Sequence, residues 1–148
     1  GLLHDVGQLV IYHELPELGR EALARSEASD DGLHQAEQAV LGFTHGEVGA
    51  ALFAAWGLPE GLQATTRFHH QPLAGNTFLF ETAIVHLANS GANAAEPGRN
   101  ILECRPERHP GSWRLTGLTE EDLEKTMPEV EVQFLDVIQI LSPDQPLI

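Results

Sequence analysis

A chain of 148 residues, 42% hydrophobic and 20% charged, is long enough for one domain with its own core and too apolar for a disordered segment. Its 22 acidic against 8 basic side chains leave a net charge of −14, a field that repels a nucleic-acid backbone. No apolar run is long enough to span a bilayer, no basic-then-apolar leader opens the chain, and the lone Cys104 has no internal disulfide partner, so a cytoplasmic setting is expected.

The chain opens inside a helical pattern, which reads as a fragment of something longer. Leu2, Val6, Leu9, Val10 and His13 form an apolar stripe that predicts a first helix ending before Pro16. His4 and Asp5 lie off that stripe. An adjacent pair of this kind offers one neutral nitrogen and one anionic oxygen to a metal, although a solvated polar face is its more common use. Gly7 admits a close neighbour to the backbone or merely weakens the helix. Pro16 opens a second helix through about Ala28, with Leu15, Leu18 and Ala22 inward, and residues 29–32 make a turn. Leu33, Ala36 and Val40 mark a third helix, with Glu37 beside its stripe.

Residues 41–72 carry the densest information. Thr44 and Glu47 have capping-box spacing, and Val48, Ala51, Leu52 and Ala55 predict the buried face of the helix that follows. Gly57 suits the left-handed residue that ends it, and Pro59 suits the start of the next. There Leu62, Thr65, Thr66 and His69 share a face until Pro72 forbids continuation. His45 therefore falls in the first turn of one helix, where the dipole favours the neutral, metal-binding imidazole, and His69 and His70 fall in the last turn of the next. Any one of these histidines alone is more simply a turn or core residue. Three at the ends of one helix pair bring the metal reading level with that one.

Asn76 or Thr77 caps an apolar helix from Phe78 to about Ser90, with Phe80, Ala83, Ile84 and Leu87 inward and His86 and Asn89 on another face, read as surface. Residues 91–115 read as a long loop holding Arg99, Arg105, Arg108 and Arg114, a cluster that balances the domain's own carboxylates or meets an anionic partner. Thr119 and Asp122 repeat the capping spacing before a short helix over 120–125, which Met127-Pro128 breaks. A last helix over 130–141 has Val130, Phe134, Val137, Ile138 and Leu141 inward. Leu135 and Ile140 make it apolar on further sides, which suits docking to another domain or a homo-oligomer. Residues 142–148, with Pro143 and Pro146, read as a tail or linker. Nearly every apolar pattern has helical period, so the fold class is all-α.

Together the segments Gly1-Leu2-Leu3-His4-Asp5-Val6-Gly7, Glu37 with Leu41-Gly42-Phe43-Thr44-His45-Gly46-Glu47, Trp56-Gly57-Leu58-Pro59, His69-His70-Gln71-Pro72 and Ile84-Val85-His86-Leu87-Ala88-Asn89 resemble the HD superfamily, and within it the HDOD output domains. The resemblance implies an HD-like bundle of about six to eight helices around a central His/Asp pocket, and a single domain over 1–148 that lacks its N-terminal helices. In the catalytic relatives, HD-GYP phosphodiesterases included, such residues hold a metal cluster, often iron or manganese, that activates water against a phosphodiester. Carried over by motif, His4 and Asp5 match the defining pair, His45 the helix-start histidine, and His69 and His70 the doublet. An N/O donor set without thiolate suits iron, manganese or another divalent metal better than structural zinc.

The departures from that pattern point away from catalysis. Asn89 stands where catalytic relatives place their last aspartate, Gln8 replaces the lysine after the His-Asp pair, and the Gly-Tyr-Pro segment is absent after His70. The expectation is a non-catalytic regulatory output domain of a bacterial signalling protein, with no catalytic residue assigned and a partner or neighbouring signalling domain as its target. The alternative is a metal-dependent phosphohydrolase acting on nucleotides or cyclic dinucleotides.

Overall fold

Proline and glycine set where the helices begin and stop. The computed structural model describes residues 1–29, 32–75, 77–94 and 109–141, and among these there are eight α-helices and no strand. They are α1 (Val6–Glu14), α2 (Pro16–Glu27), α3 (Leu33–Leu41), α4 (His45–Ala55), α5 (Glu60–Phe68), α6 (Leu79–Ala94), α7 (Pro110–Thr116) and α8 (Glu120–Leu141). Pro16 and Pro110 open α2 and α7, where a missing N–H costs nothing. Gly57, at φ 68°, closes α4 in a Schellman arrangement, with Leu58 N–H reaching the Phe53 carbonyl at 2.9 Å. The Thr44–Glu47 capping box is formed in both directions.

Helix α4 is the centre of the packing, with α1 on one side and α5 on the other; α2 lies on α3, and α6 packs on α5 and carries α7. The buried apolar side chains are mostly small, with Ile11, Phe53, Val85 and Leu87 the larger members. Complete burial of Phe53 contributes roughly 2–3 kcal/mol.

The buried faces differ from the apolar stripes. Helix α4 buries His45, Gly46, Gly49, Ala50 and Phe53, not Val48, Ala51, Leu52 and Ala55. The reason is backbone proximity. A methyl on Gly49 would lie 2.8 Å from Thr66 Cγ2, and one on Gly46 would lie 2.9 Å from the Thr66 carbonyl oxygen. A methyl on Gly7 would run into the His45 carbonyl and come 2.8 Å from Gly49 N. Glycine carries no hydropathy signal, so a face built from it escapes periodicity. In α1 the inward residues are accordingly Gly7 and Ile11, while Leu2 is 98% and Leu9 69% exposed. Helix α2 buries Gly19 and Ala22 and leaves Leu15 and Leu18 exposed.

Helix α6 runs four residues past Ser90, and Phe80 and Ile84 face outward while Thr82, Ala83, Val85, His86, Leu87 and Ser90 are buried. The expected loop over 91–115 instead contains α7, capped by His109, whose Nδ1 accepts from Gly111 N–H at 3.1 Å. Helix α8 is continuous across Pro128, because the proline removes one backbone bond while the capping box of Thr119 and Asp122 and the turns on either side persist. Val130 and Val137 on α8 are exposed, against the inward expectation. Asn76, residues 95–108 with Arg99, Arg105 and Arg108, the side chains of Phe134, Ile138 and Leu141, and the tail 142–148 lie outside the described residues.

Candidate metal centre

Three chain segments meet at one point. Asp5 is the residue before α1, His45 the first of α4, and His69 and His70 follow the last turn of α5. One ligand atom from each of Asp5, His45, His69 and His70 lies within 4.8 Å of the others. The glycine contacts of α1 with α4, and of α4 with α5, are what bring these ends together.

The tautomers are fixed from outside. Glu37, 1% exposed, accepts from His45 Nδ1–H at 2.6 Å and from the His45 backbone N–H at 2.8 Å, both on Oε2. His69, fully buried, donates Nδ1–H to the Thr66 carbonyl at 2.7 Å. With both outer nitrogens protonated, each neutral ring presents a bare Nε2 lone pair inward. These two nitrogens are 3.3 Å apart, each is 3.3 Å from Asp5 Oδ1, and His70 Nε2 is 3.0 Å from His45 Nε2. Acceptors facing acceptors at this distance repel unless a cation sits among them.

Two buried atoms at the site, Asp5 Oδ1 and His4 Nε2, have no hydrogen-bond partner. The 3.1 Å contact of His4 Nε2 with Asp5 Oδ2 is a charge contact without hydrogen-bond alignment, so it does not satisfy them. Orphaned buried acceptors around a common centre fit a divalent ion, and the N/O donor set is of the kind that holds iron or manganese.

Without a metal, a proton takes that role. Burial opposes charge on His45, but hydrogen bonds and charges from Asp5 and Glu37 outweigh it and raise the ring to about 9. Burial also opposes charge on Asp5, and contacts from His4, His45 and His69 hold it well below the usual carboxylate range. His70 is pushed the other way, neutral far below the ordinary imidazole range, by burial and by its histidine neighbours. The cluster thus gathers one cationic charge beside one carboxylate.

Of the five residues singled out from sequence, His4 stands at the edge. Its ring meets His69 edge-on at 4.8 Å, its Nδ1–H donates to the Gly1 carbonyl at 2.6 Å, and it contributes no atom to the four-residue cluster. Burial opposes its charge, and Asp5, the Gly1 carbonyl and Asn89 raise it. Asn89 therefore does lie beside the pocket.

Three further residues build the site. Glu37, read from sequence as a carboxylate beside an apolar stripe and as part of the resemblance but given no role, holds His45 at ring and backbone. His34 stacks on His70 with centroids 4.2 Å apart and planes 7° from parallel. Both stacked rings line a cleft of about 130 Å³, together with Gln38, Thr44, Arg67 and Gln71. His86, expected at the surface, is 3% exposed and donates Nδ1–H to the His69 carbonyl at 2.7 Å. The signal for it was present: residues 83, 86, 87 and 90 have helical spacing and are all buried.

The HDOD domain family matches residues 1–72, the stretch that holds Asp5, His45, His69 and His70. An uncharacterised protein of Treponema pallidum (strain Nichols) is 34% identical over 70 residues, which make up 47% of this chain and 14% of that protein, so the chain spans a small part of the relative's length. No solved structure matches the chain.

Proposed function

Residues 1–72 belong to the HDOD domain family, and from that premise we propose that the chain is a regulatory output domain whose pocket binds one divalent metal without hydrolysing a substrate. The observation that carries this reading is the convergence of the bare Nε2 atoms of His45 and His69 on Asp5 Oδ1, with tautomers set by Glu37 and the Thr66 carbonyl. Asp5, His45, His69 and His70 would hold the ion, and His4 would support Asp5 from the side. The ion would supply a fixed positive charge in place of the His45 proton.

Charge argues against hydrolysis. Asp5 is the one carboxylate in the cluster, and the position beside His4 is the neutral amide of Asn89. Hydrolytic two-metal centres need anionic ligands enough to hold both ions and still ionise a water. A single carboxylate and three neutral rings suit one resident ion. The partner would be a protein surface or a neighbouring signalling domain in a bacterial cytoplasm. The exposed Val132, Val137 and Ile140 of α8 offer a surface for it or for a second copy.

The test is direct. Purified chain is titrated with manganese and iron(II) by calorimetry, and the loaded protein is assayed against cyclic dinucleotides, nucleotides and a generic phosphodiester. Binding of about one ion per chain with no turnover is expected. Metal-dependent cleavage of any of these would establish the hydrolase reading instead, and absence of binding would remove the metal.

A further inference from the structure

The buried imidazole of His86 joins the pocket to helix α7. Its Nδ1–H donates to the carbonyl of His69 at 2.7 Å, and its Nε2 accepts the backbone N–H of His109 at 3.1 Å. His109 is the capping residue of α7, and α7 packs on α6, the helix that carries His86. Two residues further on, Gly111 backs directly onto Leu73, three residues past His70. Helix α7 is therefore held against both ends of the histidine doublet segment, once through the His86 ring and once through Leu73.

We infer that His86 is a positioning residue that transmits the state of the His69–His70 segment to helix α7, making α7 the element through which the pocket is read. The inference rests on the proposed metal-binding reading of the pocket. The physical case has two parts. First, both nitrogens of His86 are committed in one tautomer, so any shift of the His69 carbonyl rotates or drags a ring whose other end holds α7. Burial leaves that ring no water to substitute for either bond. Second, α7 is poised to respond. It is seven residues long, too short to persist without packing. The Ser112 hydroxyl is fully buried without a hydrogen-bond partner, a penalty comparable in size to a hydrogen bond gained. A docked element balanced in this way is the two-state device that coupling requires.

Amide hydrogen exchange on the whole chain, with and without manganese, tests it in three proteins. In the parent, manganese slows exchange at residues 66–72 and also at 110–117. His86→Asn keeps a donor for the His69 carbonyl and loses the acceptor for His109. It is expected to speed exchange at 110–117 about tenfold without metal, the equivalent of one hydrogen bond, and to confine the manganese effect to 66–72. His86→Gln keeps an acceptor toward His109 and loses the donor, so α7 stays protected and manganese no longer reaches it. An unchanged manganese effect at 110–117 in both variants, or none in a parent that binds manganese at 66–72, overturns the inference. If manganese binds nowhere, the metal reading fails and a metal-free arm decides the coupling. Gly111→Val, whose added side chain would run into Leu73 Cδ1 and the His109 ring, then speeds exchange at 66–69 in the parent and not in His86→Asn; equal effects in the two refute it.

Discussion

A single oxygen of Glu37 holds His45 at both its ring and its backbone, at 2.6 Å from Nδ1 and 2.8 Å from the amide nitrogen. The amide bond fixes where α4 starts, and the ring bond fixes which nitrogen faces the pocket. One buried carboxylate thus sets both the position and the protonation of the central donor.

Glu37→Gln should therefore separate metal affinity from folding. The glutamine carbonyl oxygen can still accept both bonds but brings no charge to bias the tautomer. Manganese affinity by calorimetry is expected to fall about 10- to 100-fold, with helical content by circular dichroism retained. Affinity equal to the parent's would mean that Glu37 has no part in preparing the site.

Gly7→Ala tests the closest helix contact. The added methyl would meet the His45 carbonyl and the Gly49 amide, both backbone, so no side chain can swing aside. Denaturant unfolding should show a loss of about 1–3 kcal/mol or more from overpacking, and manganese binding should weaken with it because His45 moves. Gly57→Ala, strained by its φ of 68° and away from the pocket, should cost about 1 kcal/mol and leave binding alone.

The pH dependence of the metal-free chain follows from His45. Its folded value near 9 lies above the ordinary 6.5, so the folded state holds the proton more tightly. The stability this lends is complete below about pH 6.5 and drains away as pH rises through about 9, with a slope of at most about 1.4 kcal/mol per pH unit. Unfolding midpoints measured from pH 6 to 10 should fall across that window. Saturating manganese should flatten the curve, since the ion replaces the proton.

Pro128→Ala should stabilise α8. Alanine restores the backbone donor and removes a ring that sits badly in a helix interior, a gain of up to about 3 kcal/mol locally. Slower amide exchange around residues 124–132 is the readout, and an unchanged rate would show that the helix has already absorbed the break.

The helix boundaries of the first 72 residues were legible because they are local. Thr44 with Glu47, Gly57 and Pro16 act through atoms a few residues away, and the structure uses each as the sequence suggests. The buried faces were not legible in the same way. In α1 and α4 hydropathy pointed to Leu9 and Leu52, while the structure buries Gly7, Gly46 and Gly49. The Pro128 helix misled for a related reason: a proline is a local penalty, and the turns around it outvote it.

What the chain order alone determined was the kind of donor at each helix end, a histidine or an aspartate beside a cap or a stop, because helix termini are written in neighbouring residues. Which of those donors share a centre was decided only by the tertiary packing. Glycine-to-backbone contacts between α1, α4 and α5 draw Asp5, His45, His69 and His70 together, leave His4 at the margin and bury His86 behind them. Such contacts are made by atoms every residue possesses and by side chains that glycine lacks, so they leave no mark on a hydropathy pattern and appear only when the backbones meet.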